Sequence, residues 1–252
     1  MKLKEFFEEH PRVAIAFSGG VDSAYLLYAA KLYAKEVCAY YVKTAFQPQF
    51  ELEDAMRLAK ELDAKVRIIS LDVLANAEVA SNPKNRCYFC KKCIFSAIIK
   101  EAAADGFTDL LDGTNASDDA DDRPGMKALQ ELSVYSPLRI CGLPKSEIRM
   151  LSKEAGLFTW DKPAYACLAT RIPAGTVIEK RLLERTELAE DFLFSLGFTD
   201  FRVRTVGEMA KLQLIAKDIP LFVENRSKIL DRLKEHYASV CLDLEVRDEH
   251  RD

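Results

Sequence analysis

Four short runs in the first half of the chain are apolar at most positions: RVAIAF (12–17), VCAYYV (37–42), VRIIS (66–70) and DLLDG (109–113). Runs of this length without a clear polar face predict strands buried on both sides. Between them, Ser23–Lys35 and Glu51–Leu62 place apolar residues at helical spacing, and Cys90–Ala104 reads as a third helix. Strands separated by helices predict an α/β fold, a doubly wound parallel sheet covered by helices on both faces.

The pattern changes after residue 113. Residues 114–144 are rich in Asp, Pro and Gly and predict an active-site loop with a short helix near Met126–Leu132. Lys145–Ala155 predicts a helix stopped by Gly156. DKPAYACLATRIPAG (161–175) predicts little regular structure. Ile178–Leu196 predicts a long helix ending at Gly197, followed by FRVRTV, KLQLIA, a helix near Asn225–His236 and SVCLDLEV. That second pattern predicts a smaller α+β domain, and the division expected is 1–176 and 177–252.

Composition narrows the class. The 252 residues are 49% hydrophobic and 30% charged, enough for a real core, and the net charge of −4 argues against general nucleic-acid binding. The amino terminus lacks the layout of a signal peptide, and no apolar run approaches the roughly 20 residues of a membrane helix. The expectation is a cytoplasmic protein with no membrane partner and no stable nucleic-acid partner. Seven cysteines (38, 87, 90, 93, 141, 167 and 241) without a secretion signal point away from disulfides. Cys38 and Cys241 lie in apolar runs and read as packed strand residues.

AFSGGVDSAYLL (16–27) sits where the first strand meets the first helix. Ser18, Gly19 and Gly20 let the backbone turn tightly and direct N–H groups inward, and the helix adds its positive end, which together suit phosphate. It is neither a Walker A loop nor GxGxxG. The plainer alternative is a glycine turn with Asp22 as helix cap. The string SGGVDS resembles the pyrophosphate loop of the PP-loop ATP pyrophosphatase superfamily. That resemblance implies ATP cleaved between its α and β phosphates, with Ser18, Gly19, Gly20, Asp22 and Ser23 holding pyrophosphate and Asp22 close to Mg²⁺.

DGTNASDDADDRPG (112–125) follows the fourth strand. Gly113 permits a tight turn beside a nucleotide. Asp118, Asp119, Asp121 and Asp122 are hard oxygen ligands for Mg²⁺ or a solvated acidic loop. Arg123 is suited to clamp a phosphate, or it pairs with the neighbouring acids.

The runs DGTNASDDADDRPGMKAL, SPLRICGLPKSEIRMLSKEAGL, WDKPAYACLATRIPAG and FRVRTVGEMAKLQL together resemble the LarE family within that superfamily. The resemblance spans the phosphate loop to about residue 245. It implies thiolation of a nicotinate-derived mononucleotide for a nickel-pincer nucleotide cofactor. ATP adenylates a carboxylate, a cysteine attacks the acyl-adenylate, and the cysteine's own sulfur leaves with the product. Cys167 matches that sacrificial cysteine, and Arg171 beside it would lower the thiol pKa or bind phosphate. The resemblance also implies a metal site with Glu190 and Asp218, substrate or phosphate binding by Arg202 and Arg204, and a homo-oligomer, a hexamer. Arg202 and Arg204 alternate on one strand and so share a side, and a surface ion-pair set is the alternative reading. Val206-Gly207 stands where the family pattern has His-Gly, and the tail VRDEHRD departs from a glycine-rich ending.

RCYFCKKC (86–93) holds Cys87, Cys90 and Cys93 at C-x2-C-x2-C spacing. Three thiolates so spaced are a ligand set for zinc or a [4Fe–4S] cluster, and a cluster carrying an extra sulfide would spare Cys167. On a continuous helix they step by about 300° each and drift around a broad face, so a cluster requires an irregular segment there. Tyr88 is suited to stack on the pyridinium or adenine ring, or it fills the core. Two other enzyme classes fit an adenylating loop, a tRNA thiolase and an amide-forming synthetase. A nucleotide sensor without turnover is the non-enzyme alternative.

Overall fold

A computed structural model describes residues 2–118 and 124–247. The chain divides into two compact units, Met1–Val79 with Lys84–Lys162, and Ala80–Pro83 with Pro163–Asp252. The sequence-based division at residue 176 lies within the second of these.

The first unit carries the strands β1 (Arg12–Ala16), β2 (Glu36–Lys43), β3 (Val66–Ser70) and β4 (Asp109–Leu111). Its helices are α1 (Leu3–Glu9), α2 (Val21–Tyr33), α3 (Gln49–Glu61), α4 (Ala77–Ala80, whose last residue joins the other unit), α5 (Arg86–Ala104), α6 (Pro124–Glu131), α7 (Pro137–Ile140) and α8 (Lys145–Glu154). The strands form one sheet in the order β3-β2-β1-β4, and all three pairings are parallel. The chain builds outward from β1 in one direction through β2 and β3, and in the other to β4. The order therefore reverses between β1 and β4, which is where open α/β sheets bind ligands.

Strand alternation explains why the apolar runs lack a polar face. Val13 and Ile15 of β1, with Ala39 and Tyr41 of β2, enter the core shared with α1, α2 and α3. Ala14, Cys38, Tyr40 and Val42 enter the opposite core with Phe95, Ile98 and Ala102 of α5. Both faces are thus apolar. β3 departs from this expectation. It lies at the sheet edge, its residues are only half-buried or exposed, and Ile68 is 52% exposed.

The second unit holds α9 (Lys180–Ser195), β5 (Phe201–Val206), β6 (Met209–Leu214), α10 (Ile219–Leu233) and β7 (Ser239–Leu242). β5 and β6 pair antiparallel, and β7 joins β6 in parallel. Phe201 and Val203 of β5 face a core shared with Ala189 and Leu193 of α9. The even residues Arg202 and Arg204 take the other face, as the alternation predicts.

The helices differ from the sequence reading chiefly at three places. α1 has no counterpart among the predicted elements. α5 begins at Arg86 rather than Cys90 and includes all of RCYFCKKC. α10 begins at Ile219, with a proline in its first turn, where proline's missing N–H costs nothing. Among the described residues, no helix is long and apolar enough to cross a membrane.

Candidate active site

The phosphate-type loop forms as its sequence demands. Gly19 has φ +75°, and a Cβ there would stand 2.9 Å from the Ala55 Cβ, so both conformation and space require glycine. Ser18 and Ser23 fold the loop on itself. Their hydroxyls are 3.1 Å apart, the Ser18 N–H donates to Ser23 Oγ at 3.3 Å, and Ser23 Oγ donates to the Gly20 carbonyl at 3.1 Å. Gly20 is the N-cap of α2, so the helix's positive end points at whatever the loop holds.

Gly113 follows β4 and reaches the same place from the other side of the switch point. A Cβ on Gly113 would meet the Ser23 backbone nitrogen at 2.9 Å. The two strand ends open onto a cavity of about 310 Å³ lined by Ser18, Gly20, Asp22, Ser23, Thr114 and Asp118, with Tyr40, Phe95 and Ile98 on its apolar side. Polar groups at one end and an apolar wall at the other match a nucleotide's phosphates and base.

Asp22 is the charged centre of the polar end. It accepts from Lys145 Nζ at 2.6 Å and from Asn115 Nδ2 at 3.4 Å. Burial raises its carboxyl above the ordinary range, opposed by the charge and hydrogen bond of Lys145. Asp118 joins through the Asn115 backbone N–H, which donates to its Oδ2 at 3.0 Å. Two carboxylates beside a phosphate loop fit Mg²⁺, which takes one or two carboxylates and completes its shell with phosphate oxygens and water.

Lys145 and Asn115 escaped the sequence reading. A signal for Lys145 existed. It opens α8, and a cation at a helix N-terminus opposes the helix dipole, so its presence there needs another reason. Asp22 is that reason. Arg123, Asp119, Asp121 and Asp122 lie outside the described residues.

A second cluster lies wholly in the second unit. Cys167 is half-buried and caps a 3-10 turn, Leu168–Arg171. Its carbonyl accepts from the Thr170 N–H at 2.9 Å and from Thr170 Oγ1 at 2.8 Å. Arg171 is 1% exposed and forms a two-pronged pair with Glu190, Nε to Oε1 at 2.7 Å and Nη2 to Oε2 at 3.1 Å. Burial alone would lower the Arg171 pKa, but the Glu190 charge and hydrogen bonds raise it overall. Arg202 is pushed down to about 10, first by burial and then by the neighbouring guanidiniums of Arg171 and Arg247. Burial and the same neighbours lower Arg204. Asp200 pairs with Arg202 at 3.5 Å and with Arg247 at 3.2 Å, so the four arginines Arg171, Arg202, Arg204 and Arg247 still outnumber Glu190 and Asp200, an excess that suits an anionic ligand.

The other predicted residues are placed elsewhere. Cys87, Cys90 and Cys93 stand on one continuous helix, without the irregular segment a cluster requires. Cys93 Sγ accepts from Asn76 Nδ2 at 3.4 Å. Tyr88 donates to Glu131 at 2.8 Å, beneath Lys92 and Lys127, and does not line the cavity. Asp218 is buried at the N-cap of α10. Among the described residues, no three His, Cys, Asp or Glu side chains are grouped to hold a metal ion, so the set Cys87, Cys90 and Cys93 forms no such group.

Comparison with known proteins adds the chemical context. Residues 12–96, from β1 into α5, match the family model of queuosine biosynthesis protein QueC. An uncharacterised protein of Synechocystis sp. is 36% identical over 96% of this chain and 92% of its own length. The pyridinium-3,5-bisthiocarboxylic acid mononucleotide synthase of Lactiplantibacillus plantarum is 34% identical over 92% of this chain and 86% of its own length. An uncharacterised protein of Methanocaldococcus jannaschii is 29% identical over 97% and 93%.

Proposed function

The chain belongs to the LarE family of PP-loop proteins, and from that premise we propose that it is an ATP-dependent sulfur transferase acting on a pyridinium mononucleotide. The observation that carries the reading is the loop at the ends of β1 and β4, where Gly19 and Gly113 permit close backbone approaches that a Cβ would block and Asp22 lines the cavity beside them.

ATP binds with its phosphates against Ser18, Gly19, Gly20 and Ser23. Asp22 and Asp118 would hold Mg²⁺, which would supply charge neutralisation for the leaving pyrophosphate. A substrate carboxylate oxygen bonds to the α-phosphorus, the bond from that phosphorus to the β-phosphate oxygen breaks, and pyrophosphate leaves. The product is an acyl-adenylate, whose AMP is a good leaving group where oxide is not. The Cys167 thiolate then bonds to the acyl carbon and AMP departs with the electron pair of the broken C–O bond. Loss of the Cys167 Cα proton and cleavage of its Cβ–S bond leave a thiocarboxylate on the product and dehydroalanine in the chain. Arg202 and Arg204 hold the anionic substrate, and Arg171 stands by Cys167.

Formation of AMP and pyrophosphate in amounts set by the number of chains tests the first half. Both products are expected only when ATP and the carboxylated pyridinium mononucleotide are present together. Cys167→Ser is expected to release pyrophosphate and stop at the acyl-adenylate or an ester. Release of ADP and phosphate would refute the reading.

A further inference from the structure

The carboxylate of Glu190 is fully engaged. It is 1% exposed. Oε1 accepts from Arg171 Nε at 2.7 Å and from the Val203 backbone N–H at 2.9 Å. Oε2 accepts from Arg171 Nη2 at 3.1 Å and from the Tyr165 hydroxyl in a short contact. A carboxylate offers about four lone-pair sites, and here each meets a donor. A metal ion would have to displace at least one donor and would place a second cation against the buried Arg171 guanidinium. The residues present do not fit a metal site.

The same four bonds tie three segments together. Arg171 and Tyr165 flank Cys167, Glu190 belongs to α9, and Val203 lies on β5 between Arg202 and Arg204. From this hub the hydrogen bonds run along the backbone around the cysteine. Arg171 Nη1 donates to the Ala166 carbonyl at 3.1 Å and to Thr170 Oγ1 at 2.8 Å, and Thr170 in turn holds the Cys167 carbonyl. Arg202 Nη2 donates to the Ala164 carbonyl at 2.9 Å, and Arg204 Nη1 donates to the Thr170 carbonyl. The Tyr165 ring lies 4.7 Å from the Arg171 guanidinium and 5.5 Å from that of Arg202. The carbonyls of residues 164, 166, 167 and 170 are therefore each held by a side chain, and three of those four side chains are arginines.

We propose that Glu190, with Tyr165, is a positioning residue that fixes the Cys167 turn, and not a metal ligand. The proposal rests on the reading of Cys167 as the sulfur donor. Glu190 neutralises Arg171, which lets that guanidinium stay buried and span both sides of the cysteine. Tyr165 closes the remaining lone pair and offers its ring to both arginine guanidiniums.

The test uses the full chain, Glu190→Gln, and the milder Tyr165→Phe, which removes one donor and no charge. Circular dichroism and a thermal melt identify variants that remain folded. Manganese binding is measured at equilibrium without nucleotide, and Cys167 labelling by iodoacetamide is followed without substrate. The expected result is manganese binding unchanged in both variants. Because displacement of a reacting atom by about 1 Å costs on the order of a hundredfold, single-turnover sulfur transfer is expected to fall by roughly that factor in Glu190→Gln and by less in Tyr165→Phe. The labelling rate of Cys167 is expected to change in parallel. Loss of a stoichiometric manganese site in either folded variant would overturn the proposal, as would labelling and transfer rates equal to wild type. If Glu190→Gln does not fold, Tyr165→Phe decides by the same criteria. Continued sulfur transfer by Cys167→Ser would instead refute the donor reading, and the manganese and labelling results stand apart from it.

Discussion

Arg171 and Glu190, nineteen positions apart, meet in a two-pronged ion pair whose side chains are each 1% exposed. Such a pair is weak evidence of net stabilisation, since removing two charges from water offsets their attraction. Breaking it from one side is another matter.

Arg171→Met is expected to destabilise the protein by about 3–5 kcal/mol, because Glu190 is left charged and buried without its counter-ion. The double variant Arg171→Met/Glu190→Met is expected to be more stable than the single. Urea unfolding at neutral pH measures both. A single variant within about 1 kcal/mol of wild type would show that the pair is exposed in solution.

Gly19→Ala faces two separate obstacles, a positive φ and a 2.9 Å approach to the Ala55 Cβ. It is expected to cost about 1–3 kcal/mol and to weaken ATP binding. Ala55→Gly in the same chain removes the nearest contact but leaves the residue 55 Cα at 3.2 Å and the φ strain, so it restores only part of the stability and affinity. Full restoration would mean that the Ala55 Cβ contact alone requires glycine at this position.

Lys145→Met is expected to shift the pH dependence of pyrophosphate release. Burial raises the Asp22 carboxyl and Lys145 opposes that rise, so its removal raises Asp22 further. Activity that needs the Asp22 carboxylate then begins at higher pH, and the acidic limb of the rate profile moves upward. The sign for stability follows. A carboxyl raised in the folded state costs stability above its folded pKa, and that cost fades as pH falls through it. Lys145→Met therefore lowers stability at neutral pH by more than at acid pH. An acidic limb that stays in place or moves down would contradict the role given to Lys145.

The first unit was the more legible in the sequence. Its strands are apolar on both faces, as in Ala14 opposite Val13 and Cys38 opposite Ala39, so short runs sufficed to mark them. Edge position was invisible, and VRIIS therefore read as buried although Ile68 is exposed. Gly19 and Gly113 were legible because a backbone approach leaves a compositional trace. The Asp22–Lys145 pair spans 123 positions, and no local pattern announces such a contact. The Glu190 hub was hidden for the same reason. One helix, one loop and one strand meet there, and spacing along a single element reveals none of it. The three cysteines of RCYFCKKC show the reverse case, a conspicuous spacing that the regular helix α5 spreads over nearly two turns.

The central claim is that Cys167 gives up its sulfur, and intact-protein mass spectrometry after turnover with ATP and the carboxylated pyridinium mononucleotide tests it most directly. The account predicts a mass lower by one hydrogen sulfide, mapped by peptide analysis to dehydroalanine at position 167, with one sulfur delivered per chain. Many sulfurs delivered per chain with the mass of the protein unchanged would contradict it.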